Sequence, residues 1–157
     1  MTYYNEISKG YNELYKEEQL KKLSIIKENL NIKQDSRLLD VGCGTAFSLD
    51  YLNCTKIGVD PSQELLKQSK HPVIKGEAEN LPFKDKEFDF VISLTAIHNF
   101  HNIEKGLKEM KRVGNEFAFS ILKNSKNFEI IESLIKKNFK SIKTIEEEKD
   151  TIFFGKA

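Results

Sequence analysis

Three carboxylates stand in the first half of the chain where they could serve one ligand. Asp40 closes the apolar run RLLDVG, Asp60 closes KIGVD, and Glu77 comes directly after HPVIKG. Between the first two lie Gly42 and Gly44, with Cys43 between them and Thr45, Ala46 and Phe47 after. Glycines after a strand let the backbone turn tightly and approach a ligand, and the N–H groups opening the next helix then face it. A dinucleotide fingerprint needs a third glycine at the position held by Phe47, so that reading fails. The pattern is D-x-G-x-G-x-A. An acid two residues before the first glycine repels a pyrophosphate and suits a ligand bearing an amino group. A carboxylate at Asp60 accepts both hydroxyls of a ribose, and Glu77 is placed to accept from an adenine amino group. Together they point to an amino-acid-bearing nucleoside.

The elements that must position these residues follow from periodicity. Ile7, Tyr11, Leu14 and Tyr15, then Leu20, Leu23, Ile26 and Leu30, recur at helical spacing, and Asn31 with the polar run 33–36 ends that helix. From Arg37 strands and helices alternate. RLLDVG, KIGVD, HPVIKG, FDFVISL and EFAFSIL read as strands, and 47–52, 62–70, 103–113 and 128–139 as helices, with Ser62 a candidate N-cap. SIKTIEEE and TIFFGKA close the chain too near each other for a parallel crossover, so an antiparallel hairpin is expected. The expected architecture is a doubly wound α/β fold: a mostly parallel seven-stranded sheet in a three-layer αβα arrangement, one domain over 1–157, with 1–32 a helical cover segment. In such sheets a ligand sits past the carboxyl ends of the strands, where strand order reverses.

Composition narrows the function classes. The chain has 157 residues and a net charge of +1, so no global field draws it to nucleic acid or an anionic membrane. Arg37 and Arg112 are its only arginines, which leaves few bidentate readers of phosphate or guanine. No apolar run approaches a membrane span. The opening MTYYNEISKG lacks the basic start and apolar core of a secretion signal, and Cys43 and Cys54 have no CxxC partner. A cytoplasmic protein with reduced thiols is expected.

In order along the chain, LLDVGCGTA, IGVDPS, GEAENLPF and FDFVISLTAIHNF closely resemble the first four motifs of the class I S-adenosylmethionine-dependent methyltransferases. The nearest group is the type 11, ubiquinone/menaquinone methyltransferase-like one. YYNEISKGYNELY resembles that group's N-terminal cover helix. The resemblance implies a Rossmann-like fold and S-adenosyl-L-methionine as cofactor. By the same resemblance Asp40 helps hold the methionine amino end while Gly42 and Gly44 pass beneath the cofactor. Asp60, followed by Pro61, binds the ribose, and Glu77 and Ala78 contact adenine. Ser93 and Leu94 lie beside the methionine portion, and Tyr11 is a lid over the sulfonium. Two positions depart from the pattern. Ala46 replaces a frequent glycine, with a methyl group that an α-region backbone is expected to accept, and RVGNE replaces a proline–glycine–glycine turn.

Methyl transfer from a sulfonium needs positioning and exclusion of water more than acid–base help. Where the acceptor is protonated, the candidates for a base lie in TAIHNFHN: His98 first, then Asn99 and His101. His98 alternatively packs at the start of a helix. Spacing could put His98 and His101 on one helical face, but a further ligand is lacking, so no metal is expected. The acceptor expected is an unidentified, small molecule. A second reading rests on AIHNF, which resembles a segment of tRNA wobble-uridine methyltransferases that work with a small zinc-ribbon activator subunit. A third is a cofactor-binding subunit without catalysis.

Overall fold

The computed structural model describes the backbone of residues 2–157 and the side chains of residues 13–157. The strands are β1 (Arg37–Val41), β2 (Thr55–Asp60), β3 (Val73–Lys75), β4 (Phe88–Leu94), β5 (Gly114–Leu122), β6 (Lys140–Glu146) and β7 (Asp150–Lys156). The helices are α1 (Thr2–Asn29), α2 (Gln63–Leu66), α3 (Ile103–Val113) and α4 (Phe128–Asn138). One sheet runs β3-β2-β1-β4-β5-β7-β6. All pairs through β5 are parallel, and β7 lies antiparallel between β5 and β6. The chain winds outward from β1 to β3, then returns to the far side of β1 as β4. That reversal leaves a crevice at the carboxyl ends of β1 and β4.

Alternation along the central strands sends apolar side chains to both faces, so each face needs its own cover. Leu38, Phe90, Ile92, Ile152 and Phe154 meet Leu23, Ile26 and Leu30 of α1 and Leu49 of the segment after β1. Leu39, Val91, Phe117, Phe119 and Phe153 meet Leu107 and Met110 of α3 and Ile131 and Ile135 of α4. These side chains are essentially all buried, and each contributes about 1.5–3 kcal/mol relative to exposure. The sheet's outer strand β6 exposes Lys140, Lys143 and Glu146 around partly buried Ile142 and Ile145, charges that discourage edge pairing.

Among the residues of α1 whose side chains are described, Leu14 and Tyr15 are exposed and the buried stripe begins at Gln19. Two local expectations are revised. The helix expected over 47–52 is a 3₁₀ turn, Phe47–Tyr51. The helix expected over 62–70 stops being α-helical after Leu66. Ser62 does cap it, accepting from the Leu65 N–H at 3.3 Å. Beyond it, Gln68 and Ser69 bond three residues back, and the Ser69 hydroxyl takes the His71 N–H at 3.0 Å, diverting the backbone from the helix.

Candidate functional site

A cavity of about 310 Å³ opens at the β1/β4 reversal, within the ~300–1,000 Å³ of small-molecule sites. Gly42 and Gly44 line it from the loop after β1, Asp60 and Pro61 from the end of β2, and Glu77 and Ala78 from the end of β3. Leu94 lines it from β4. Thus three consecutive parallel strands deliver their terminal residues to one space.

Asp60 is already engaged there. Its Oδ2 accepts from the Gly44 N–H at 2.9 Å and its Oδ1 from the Ser62 N–H at 2.8 Å. The carboxylate therefore ties the glycine loop to the turn after β2, and each oxygen keeps a second lone pair for a hydroxyl. Asp40 does not line the cavity; it is buried at the end of β1. Ser48 Oγ donates to its Oδ2 at 2.8 Å, while Oδ1 has no hydrogen-bond partner among the described residues. Burial pushes its pKa up to about 7, opposed by the Ser48 bond and reinforced by the charge of Asp60. Cys43 fills the space a side chain at Gly58 would need. Burial, then the charges of Asp40 and Asp60, push its thiol up, which makes it inert at neutral pH.

The glycine loop turns through φ 77° at Gly42 and 57° at Gly44. A Cβ at Gly42 would lie 2.6 Å from the Ala96 Cβ, so the loops after β1 and β4 meet there without room for a side chain. Ala46 is a correction. Its φ of 60° and ψ of 25° place it in the left-handed region rather than the ordinary helical one. That conformation costs a residue with a Cβ about 1–2 kcal/mol. The 3₁₀ turn starts at this point, the Ala46 N–H bonding Cys43 O at 2.8 Å and its carbonyl receiving the Leu49 N–H at 3.1 Å.

On the wall after β3, Ala78–Asn80 forms a short 3₁₀ turn. It is pinned from α3. Glu79 Oε2 accepts from the Asn102 N–H at 2.8 Å, Glu109 accepts from the Leu81 N–H at 3.0 Å, and Arg112 donates to Leu81 O and Phe83 O.

Past β4 the sequence expectations need changing. Ser93 is fully buried and its hydroxyl donates to Val41 O at 2.8 Å, so it stitches β4 to β1 and does not line the cavity. His98 does not line it either; Asn99 and His101 do. Ile97–Asn99 is a 3₁₀ turn, in which residues three apart share a face. Ala96 and Asn99 face the cavity, Ile97 enters the core, and His98 Nδ1 is buried without a partner among the described residues. Phe100 is extended, so the turn ends before His101 and the two histidines share no helical face. Among the described residues, no three His, Cys, Asp or Glu are grouped to hold a metal.

Tyr11 lies outside the residues whose side chains are described. Tyr15, one turn later, lines the cavity, its hydroxyl receiving Gln19 Nε2 at 3.0 Å and its ring edge-on to Phe47 at 6.3 Å. Across the glycine loop a second cavity of about 570 Å³ shares Tyr15, Gly42, Gly44 and Leu65 with the first. Thr95, Ala96, Tyr15 and Phe100 are lining residues that no sequence signal singled out as such.

Residues 39–116 match the family described as "Methyltransferase domain". This segment belongs to this methyltransferase family. An uncharacterised protein of Methanocaldococcus jannaschii is 36% identical over 151 residues, covering 90% of this chain and 59% of that one. A demethylmenaquinone methyltransferase of Corynebacterium efficiens is 36% identical over 93 residues, covering 55% of this chain and 40% of that one. The chain thus spans about two fifths to three fifths of these relatives' lengths. In fold, it is similar to an S-adenosylmethionine-dependent methyltransferase of Thermotoga maritima, with TM-score 0.76, 22% identity and coverage of 99% and 96%. It is also similar to a Haloferax volcanii chain solved with the Trm112 methyltransferase activator, with TM-score 0.71, 13% identity and 89% of each chain covered. The Rossmann-like αβα architecture is that of these methyltransferases.

The cofactor this methyltransferase family implies is S-adenosyl-L-methionine, and the site's residues fit it. Asp60 has lone pairs to spare, Asp40 carries an oxygen without a partner among the described residues, and Glu77 is exposed on the cavity wall.

Proposed function

We propose that this chain transfers a methyl group from S-adenosyl-L-methionine to a small-molecule acceptor. The observation that carries this reading is the convergence of the glycine loop, Asp60 and Glu77 on one cavity at the β1/β4 reversal. Asp60 takes the ribose hydroxyls, Glu77 and the Ala78 backbone take adenine, and Asp40 compensates the amino group. The cofactor supplies an activated methyl and its own leaving group. The chain's task is to orient the acceptor and exclude water. Thr95, Ala96, Asn99, His101 and Tyr15 lie on the same wall, and His101 is the group placed to take a proton where the acceptor carries one. The free thiols Cys43 and Cys54 support a cytoplasmic setting, and no described helix is long and apolar enough to cross a membrane.

A second reading, favoured by the fold likeness to a chain solved with an activator, gives the protein a partner subunit and a macromolecular acceptor. Calorimetric titration with S-adenosylhomocysteine tests the cofactor; absence of binding, with and without an activator, defeats both readings. Transfer of labelled methyl into cell extract then separates them. Label in small molecules supports the first reading, and label in RNA or protein supports the second.

A further inference from the structure

We propose that Lys22, Thr95 and Asp150 act as one positioning unit, holding the loop after β4 against the glycine loop and α1 across the cavity mouth. The inference rests on the methyltransferase reading of that cavity and adds residues which the family's motifs do not assign.

Thr95 is the first residue after β4 and lines the cavity, yet its φ is 49°. A β-branched side chain rarely adopts that conformation, and where one does, surrounding structure must enforce it. Here the enforcement is visible. The Thr95 N–H is directed at both Ser120 O and Ser120 Oγ, at 3.0 and 2.9 Å. Its hydroxyl donates to Asp150 Oδ2 at 2.8 Å and receives Lys22 Nζ at 3.1 Å. Lys22 Nζ also donates to Gln19 Oε1 at 2.9 Å and stands 3.1 Å from Asp150 Oδ1, an ion-pair contact that gives that oxygen no hydrogen bond. The Lys22 and Asp150 side chains are 5% and 0% exposed.

The unit joins three elements distant in sequence. Lys22 comes from α1, Thr95 from the end of β4 and Asp150 from the start of β7. It reaches the cavity twice. Through Thr95 the backbone turn brings Ala96 against Gly42, where no Cβ would fit. Through Gln19 it reaches the hydroxyl of Tyr15, which lines both cavities.

Fastening α1 to the sheet does not require a buried charge pair. Leu23, Ile26 and Leu30 already dock the helix, and Glu18–Lys149 and Lys21–Glu148 pair at the surface beside it. A buried ion pair gives little net stability compared with apolar residues of similar volume, whereas it fixes geometry closely. Its bonds to Thr95, the strained residue that lines the cavity, make it a device for placement.

The test compares four proteins: wild type, Thr95→Val, Thr95→Ser, and the double variant Lys22→Met with Asp150→Leu. S-adenosylhomocysteine affinity is measured by calorimetry well below each protein's melting temperature. Hydrogen exchange at the Thr95 amide, bonded to Ser120, is followed without ligand. Thr95→Val and the double variant should bind about tenfold more weakly, the scale of one hydrogen bond to a charged group, and should lose protection at that amide. Thr95→Ser should restore both. Affinity and protection equal to wild type in Thr95→Val and the double variant, whatever their melting temperatures, overturn the positioning role. If wild type itself does not bind, the methyltransferase reading fails and the exchange data alone decide the unit. Protection lost in Thr95→Val and kept in Thr95→Ser supports it, and protection unchanged in both defeats it.

Discussion

The two loops that face each other across the site both turn through a left-handed residue that is not glycine. Ala46 does so in the glycine loop at φ 60°, and Thr95 does so after β4 at φ 49°. They are held by different forces. The Ala46 methyl is fully buried in the apolar cluster of Leu38, Leu49 and Phe90. Thr95 is held by directed bonds to Ser120, Lys22 and Asp150. Apolar burial has no preferred direction, so it tolerates a change of shape. A buried polar network fixes direction, and removing one member strands another. The glycine loop should therefore tolerate a change at its strained residue, while the β4 loop should not.

The largest expected effect strikes the polar side of that contrast. Asp150→Ala leaves Lys22 buried without its counter-charge and should lower stability by about 3–5 kcal/mol in urea unfolding. A loss under about 1 kcal/mol, typical of exposed pairs, would show that solvent reaches the pair. Next is Asp60→Ala, which removes the acceptor for the Gly44 and Ser62 N–H groups. It should weaken S-adenosylhomocysteine binding by about 1–3 kcal/mol, and an unchanged affinity would remove Asp60 from the site.

Asp40 gives a pH signature. Its pKa is raised to about 7 in the folded protein, so it holds a proton there that the unfolded chain releases from about pH 4 upward. Its contribution to stability is full below the unfolded pKa and is lost as pH rises through 7. Ligand binding has the opposite sign, since an ammonium favours the ionised carboxylate. S-adenosylhomocysteine affinity should rise with pH up to about 7, by at most about tenfold per unit, and then level off. Asp40→Asn should flatten the rise; a slope that survives the substitution assigns it to another group.

The smallest effect is expected at Ala46. Replacement by glycine relieves about 1–2 kcal/mol of backbone strain. Against that stand about 0.4–1 kcal/mol of unfolded-chain entropy and about 0.8 kcal/mol for the buried methyl. Thermal unfolding of Ala46→Gly should stay within about 1 kcal/mol of wild type, and a larger change of either sign would mean the loop is not balanced in this way.

Much of the scaffold was legible because its signals are local. FDFVISL is an unbroken apolar run and is β4; 103–113 has its apolar residues at helical spacing and is α3. The close spacing of the last two strands forced the antiparallel hairpin that β6 and β7 form. Asp60 and Glu77 were placed at one cavity by being strand ends in a parallel sheet, which topology alone brings together. The differences arise in the turns between elements, where no periodicity guides the reading. The 3₁₀ turn at 97–99 leaves His98 off the cavity wall and Asn99 on it, with His101 lining the cavity beyond the turn. The hydroxyl of Ser93, expected beside the cofactor, is used to join two strands.

By itself, the sequence determined the αβα architecture, the family and the set of acids at the strand ends, because periodicity and strand-end chemistry are encoded over a few neighbouring residues. Only the tertiary structure decided that Lys22 and Asp150, near opposite ends of the chain, share the hydroxyl of Thr95. It also decided that Ala46 turns left-handed and that Asp40 carries a raised pKa. Burial, strain and charge pairing belong to groups brought together by the fold, and a residue's type does not reveal which distant neighbours will remove its water.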